Sequence, residues 1–240
     1  MTARGASLFC AIDTTDLAAA RDLARQLRGV IGGIKLGLEF FVAHGPEGVR
    51  AVVGEAGLPL FLDLKFHDIP NTAAGAVRAA MALRPAFLTV HTSGGAAMMR
   101  AAAEVARSEA ARLGGPAPRL LGVTVLTSLT DRELQTVGQA TPVAAQVMGL
   151  ASLAKESGLD GVVCSPHEIA VLRARFGAGL VIMVPGIRPA RSFIGDQQRV
   201  MTPAEARAAG ADFLVVGRPI TQDKNPAEAA RRIVAELPEP

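Results

Sequence analysis

The stretch FLDLKFHDIPNT, residues 61–72, sets Asp63, Lys65 and Asp68 among residues that otherwise belong in a core. Leu62, Leu64 and Phe66 interleave with the charges, so a surface strand carrying its charges on a wet face does not account for the pattern. Residues i and i+2 of a strand point to one side, which predicts a shared face for Asp63 and Lys65, toward the axis or mouth of whatever the strand encloses. Asp68 falls beyond the strand, on a loop feeding a helix that begins near Asn71 or Thr72.

Outward from this stretch, short runs rich in Val, Ile, Leu and Phe recur at 7–13, 32–37, 59–65, 86–91, 120–127, 161–165, 180–186 and 212–217. Such runs suit strands covered on both faces. Between them lie amphipathic helical stretches such as TTDLAAARDLARQLRG, with a Thr/Asp entrance and a Gly stop, and likewise NTAAGAVRAAMAL, GGAAMMRAAAEVARSEAARLG and NPAEAARRIVAEL. Eight strand–helix alternations predict a (β/α)8 barrel forming a single domain over residues 1–240, because a closed sheet needs a helix layer and has no edges. An open doubly wound sheet competes, but the first strand runs into DTTDLA rather than a glycine-rich dinucleotide turn. Two insertions, 128–141 and 187–202, follow strands five and seven, on the side where barrels build sites. The second mixes Gly, Pro, Arg and amides and reads as a mobile lid.

Half of the 240 residues are hydrophobic, ample for a large core, yet charges or turn residues interrupt every apolar run before it reaches membrane-spanning length. The opening MTARGASLFCAID shows no secretory signal, and a cytoplasmic location is expected. Cys10 and Cys164 each lie in an apolar run and read as buried free thiols. The formal charge is +3, carried by 21 arginines and four lysines without a long basic block, and Trp and Tyr are absent. That composition fits a small anionic ligand and argues against nucleic acid as a partner.

Charge gathers at the strand ends. Asp13 ends the first predicted strand, Lys35 lies near the end of the second, and Asp63 and Lys65 end the third. Desolvating several charges is costly unless a function uses them, so a reactive site accounts for the group better than a purely structural ion network. Ammoniums alternating with carboxylates keep both kinds of group charged, which suits a lysine to proton donation rather than to Schiff-base formation. On the opposite side, VVGRPI places Gly217 and Arg218 after the last strand, and Arg188 and Gln197 follow strand seven. A glycine for close backbone approach and an arginine for two oxygens suit a phosphate, which barrels often bind at these loops. Thr127 and Ser128 end predicted strand five with hydroxyls to present to a ligand, or begin a turn. His91 either lines the cavity or satisfies a loop hydrogen bond; His67 neighbours the charged group without a fixed direction; Met98 and Met99 read as helix packing.

The ordered set DLKFHDIPNT, KLG at 35–37, VHTSGG at 90–95, TVLTS at 124–128, PGIRP at 185–189, GDQQR at 195–199 and VVGRPI closely resembles bacterial orotidine 5'-phosphate decarboxylase over almost the whole chain. That resemblance implies a (β/α)8 homodimer that converts orotidine 5'-monophosphate to UMP and carbon dioxide, the last step of de novo pyrimidine synthesis, with neither metal nor organic cofactor. It implies Lys65 as proton donor, Asp63 beside the scissile carboxylate, Lys35 between the charged group and the ribose, and Asp13 on a ribose hydroxyl. Asp68, Ile69 and Thr72 then reach into the partner subunit's site. Arg218, Gln197 and the Gly217 backbone hold phosphate, Arg188 belongs to the closing loop, and the Thr127 region faces the base. Two competing readings remain: a metal-dependent sugar-phosphate decarboxylase or epimerase on a similar barrel, and a catalytically silent nucleotide-binding barrel.

Overall fold

The computed structural model describes residues 4–189 and 201–238. The apolar runs form eight parallel strands: β1 Leu8–Ala11, β2 Gly33–Gly37, β3 Leu60–Phe66, β4 Phe87–His91, β5 Arg119–Val123, β6 Gly161–Val163, β7 Val181–Pro185 and β8 Phe213–Val216. They pair in sequence order, and β8 closes on β1 through Leu8↔Leu214, Phe9↔Val215 and Cys10↔Val216. The expected (β/α)8 barrel is thus the observed architecture.

Helices follow the strands. The first four are α1 Leu17–Gln26, α2 Leu38–Ala56, α3 Pro70–Ala80 and α4 Gly95–Arg112. Then come α5 Asp131–Thr136, α6 Val143–Glu156, α7 Ile169–Phe176, α8 Pro203–Ala208, α9 Arg218–Thr221 and α10 Pro226–Glu236. Their starts are written in the sequence. Asp16 caps α1 by accepting from the Ala19 N–H at 3.0 Å, and Asn225 caps α10 by accepting from Glu228 N–H at 3.2 Å. Pro70 occupies the first turn of α3, where its missing N–H costs nothing, while Ala73, Ala74, Val77 and Ala80 turn inward at helical spacing. Met98 and Met99 are fully buried in α4, as packing residues.

Two apolar layers result. The larger lies between the outward faces of the strands and the helices, and it holds both free thiols, Cys10 and Cys164. Burial pushes both thiols up, well away from the thiolate form. The smaller layer fills the barrel and consists of Phe9, Ala11, Phe61, Phe87, Leu121, Met183 and Val215. It belongs to the lower barrel, because Phe9, Phe61 and Phe87 come from the first or second residue of their strands.

Several predicted boundaries move. Strand five ends at Val123 rather than at 127, since both neighbours stop there: His91 of β4 pairs Val123, and Val163 of β6 pairs it from the other side. Thr124 then folds over, its N–H and hydroxyl both donating to the Val163 carbonyl at 3.2 and 3.0 Å. Thr127 and Ser128 therefore lie on the rim loop, not on a strand end. Asp13 likewise follows β1 by two residues. The insertion at 128–141 contains α5, fixed by a reciprocal cap between Thr130 and Glu133. Of the lid segment 187–202, residues 190–200 lie outside the described residues.

Candidate active site

At the C-terminal ends of the strands a cavity of about 310 Å³ opens along the barrel axis. Its floor is the top of the apolar plug, Ala11, Phe61 and Val215. Asp13, Lys35, Asp63 and Lys65 line it from the ends of β1 to β3, and Gly186, Arg188, Gly217 and Arg218 from the ends of β7 and β8, the last of which neighbours β1. Val125, Leu126 and Thr127 of the rim loop border it as well.

The four charged groups form one chain of alternating sign. Lys35 Nζ lies 3.2 Å from Asp13 Oδ1 and 3.7 Å from Asp63 Oδ2, and Lys65 Nζ donates to Asp63 Oδ2 at 2.9 Å. The inner members are well shielded: the side chains of Lys35 and Asp63 are each 12% exposed, against 30% for Lys65 and 52% for Asp13. Gly37 makes room for this packing. A Cβ there would stand 3.1 Å from Lys35 Nζ and 3.5 Å from Asp13 Oδ1, so the glycine of KLG serves the site.

Asp63 and Lys65 meet as expected, but strand alternation alone does not bring them together. The β3–β4 register shifts between Leu62↔Leu88 and Phe66↔Val90, so Asp63, Leu64 and Lys65 stand opposite Thr89 alone. Lys65 takes a left-handed backbone, φ 49°, an uncommon conformation for a residue other than glycine. Such conformations concentrate where a structure re-aims a functional side chain. Here the bulge turns the ammonium back onto the carboxylate two residues earlier.

Other expected residues fall elsewhere. Asp68, Ile69 and Thr72 are exposed and outside the cavity of their own chain; Asp68 Oδ1 accepts from the Ile69 N–H at 2.6 Å. Gln197 lies outside the described residues. Arg188 is buried at the cavity wall, its Nη1 donating to the Ile187 carbonyl at 3.2 Å and its backbone N–H to Met201 O at 3.1 Å. His91 does not line the cavity: its Nδ1 is 2.8 Å from Ser93 Oγ, and its ring stacks on His67 with centroids 5.3 Å apart. Burial, the neighbouring His67 and Lys65 together lower the pKa of His91. The apolar lining, Val123, Val125, Val163 and Val215, escapes sequence reading because inward and outward valines look alike in strands covered on both faces.

The profile of the Orotidine 5'-phosphate decarboxylase / HUMPS family matches residues 6–233. The chain belongs to the orotidine 5'-phosphate decarboxylase family. Its relatives include the Orotidine 5'-phosphate decarboxylase of Paramagnetospirillum magneticum, 55% identical over 96% of this chain and 97% of that one. The protein of the same name from Rhodospirillum rubrum is 56% identical over 96% of this chain and 93% of that one. The crystal structure of orotidine 5'-phosphate decarboxylase from Lactobacillus acidophilus superposes with a TM-score of 0.84 at 34% identity, covering 97% of this chain and 99% of that one. Membership makes the chain an enzyme of this decarboxylase class.

Proposed function

We propose that this enzyme converts orotidine 5'-monophosphate to UMP and carbon dioxide with Lys65 as the acid that protonates pyrimidine C6. The observation that carries the reading is the 2.9 Å contact between Lys65 Nζ and Asp63 Oδ2 inside a cavity also lined by Arg188 and Arg218. The bond between C6 and the carboxylate carbon breaks, carbon dioxide leaves, and the electron pair stays on C6. The ring delocalises that sp² pair poorly, so an ammonium fixed beside it lowers the barrier, then transfers its proton to C6 and regains one from water. Asp63 lies beside the scissile carboxylate and aims the ammonium. Lys35 links Asp63 to Asp13, and Lys35 and Asp13 meet the ribose.

The phosphate belongs with Arg218, the Gly217 backbone and Gln197, and with Arg188 in the closing segment. Binding energy from this remote group helps exclude water around the charges, so it raises turnover as well as affinity. Thr127 faces the base. The active unit is a homodimer in which Asp68, Ile69 and Thr72 complete the partner subunit's site. Their exposure outside their own cavity supports this reading, as do Leu38, Val42 and Ile69, which are 54%, 82% and 66% exposed where α2 and α3 leave the rim. No described helix is long and apolar enough to cross a membrane, in keeping with a cytoplasmic enzyme of pyrimidine synthesis.

Mixing two inactive proteins tests the arrangement. Lys65→Ala and Asp68→Ala each lose turnover alone, but a mixed dimer contains one site with both native residues. Random exchange of subunits therefore restores about a quarter of the native activity. If the mixture stays inactive although subunit exchange is verified, Asp68 does not act across the interface. An active Lys65→Ala protein removes Lys65 as the donor.

A further inference from the structure

We propose that Thr89 is a positioning residue for the reacting pair, its hydroxyl locking the left-handed backbone of Lys65 to the carboxylate of Asp63. Thr89 sits in the middle of β4 and is fully buried. Its Oγ1 accepts from the Lys65 backbone N–H at 2.9 Å and donates to Asp63 Oδ1 at 3.0 Å. Lys65 Nζ donates to the other oxygen, Asp63 Oδ2, at 2.9 Å. The three residues thus close a ring of hydrogen bonds running from the Lys65 backbone through the hydroxyl and both carboxylate oxygens to the Lys65 ammonium.

The register explains why a hydroxyl is needed at this point. Three residues of β3 bulge opposite the single residue Thr89, and the Lys65 N–H leaves the direction of the ladder. A buried N–H without an acceptor costs roughly 1–3 kcal/mol. A left-handed non-glycine residue adds a cost of similar size. Thr89 offsets the first cost and thereby holds the second in place. One hydroxyl supplies one donor and two lone pairs, enough to satisfy both neighbours at once. Valine would match its shape and satisfy neither.

Without the ring, the carboxylate keeps its contacts with Lys35 and Lys65, but the Lys65 backbone is released to relax toward an ordinary strand conformation. The side chain would then swing away from the axis by ångströms rather than tenths. Proton transfer and electrostatic stabilisation both depend on placement at that scale, where a 1 Å error costs about 100-fold. Ground-state binding, centred on phosphate and ribose, does not depend on it. The expected signature is loss of kcat with KM retained, which marks an interaction made in the transition state.

The inference rests on Lys65 being the donor, so Lys65→Ala accompanies the test. Thr89→Val is expected to lower kcat by about 100-fold with little change in KM for orotidine 5'-monophosphate, and Thr89→Ser to recover most of that loss. Should the valine protein fail to fold, Thr89→Ser and Thr89→Ala form a second pair that differs only in the hydroxyl, and serine is expected to be much the faster. Equal kcat for serine and alanine, or native kcat for a folded Thr89→Val, overturns the positioning role. A native-like Lys65→Ala would instead overturn the donor assignment itself, whereas an inactive Lys65→Ala beside a native-like Thr89→Val leaves the donor standing and removes only Thr89.

Discussion

The two ends of the barrel solve opposite problems with the same eight strands. At the N-terminal end, Phe9 meets Phe87 edge-on with centroids 5.3 Å apart, Phe87 meets Phe213 at 4.9 Å, and Arg119 covers the Phe87 and Phe213 rings at 5.9 and 5.7 Å. These contacts pair ring with ring and cation with ring. At the C-terminal end, Asp13, Lys35, Asp63 and Lys65 satisfy each other only partly, and Lys65 stays 30% exposed toward the cavity. The division expected of such barrels puts stability below and chemistry above. Phe61 joins them, since it belongs to the plug and floors the cavity.

The sharpest way to break this contrast is Lys65→Ala. Activity is expected to fall about ten-thousand-fold or more, because in the proposed mechanism one group supplies both charge stabilisation and the proton. Stability is expected to move little, by about 2–4 °C in Tm, which corresponds to roughly 1 kcal/mol in a chain of this size. Lys35 remains 3.7 Å from Asp63, so the carboxylate is not stranded. Calorimetry beside a turnover assay decides. A large drop in Tm would make the rim a structural network rather than a site.

Phe9→Ala is the mirror experiment. Phe9 is 2% exposed and touches three other rings, so its removal is expected to cost about 3–5 kcal/mol, read as a shift in denaturant midpoint. At a temperature where the variant is folded, kcat should stay close to native. A folded Phe9→Ala protein with a collapsed kcat would mean that the plug sets the geometry of the site through Phe61.

Most of this contrast was legible in the sequence, though unevenly. Strand order and closure followed from eight apolar runs, since strands covered on both faces cannot hide among polar residues. The four rim charges were legible for the same reason: in such runs a charge stands out. The strand ends were not, because what stops β5 at Val123 is where β4 and β6 stop, a property of neighbours rather than of TVLT itself. Within α2, Gly45 at φ 57° and Pro46 obscure the helical pattern. Thr89 was missed because a threonine in AFLTVH is an ordinary strand former, and only the bulge opposite gives it two partners. The charged stretch announced that Asp63 and Lys65 belong together, but not that the Lys65 N–H would donate to a residue more than twenty positions away.

The smallest effect expected concerns the cover of the plug. Arg119 begins β5 with its side chain exposed, and its guanidinium lies over the Phe87 and Phe213 rings. Two contributions mix there, the attraction of the cation for the ring faces and the packing of the aliphatic stem. Arg119→Met keeps a flexible apolar stem and removes the charge, and Arg119→Lys keeps a charge without the planar stacking group. If the cation–ring attraction dominates, methionine costs about 0.5–1 kcal/mol and lysine less, both seen as denaturant midpoints at unchanged kcat. If stem packing dominates, methionine is neutral. Either result keeps Arg119 at the stabilising end, whereas a change in kcat would show that the lower end reaches the chemistry after all.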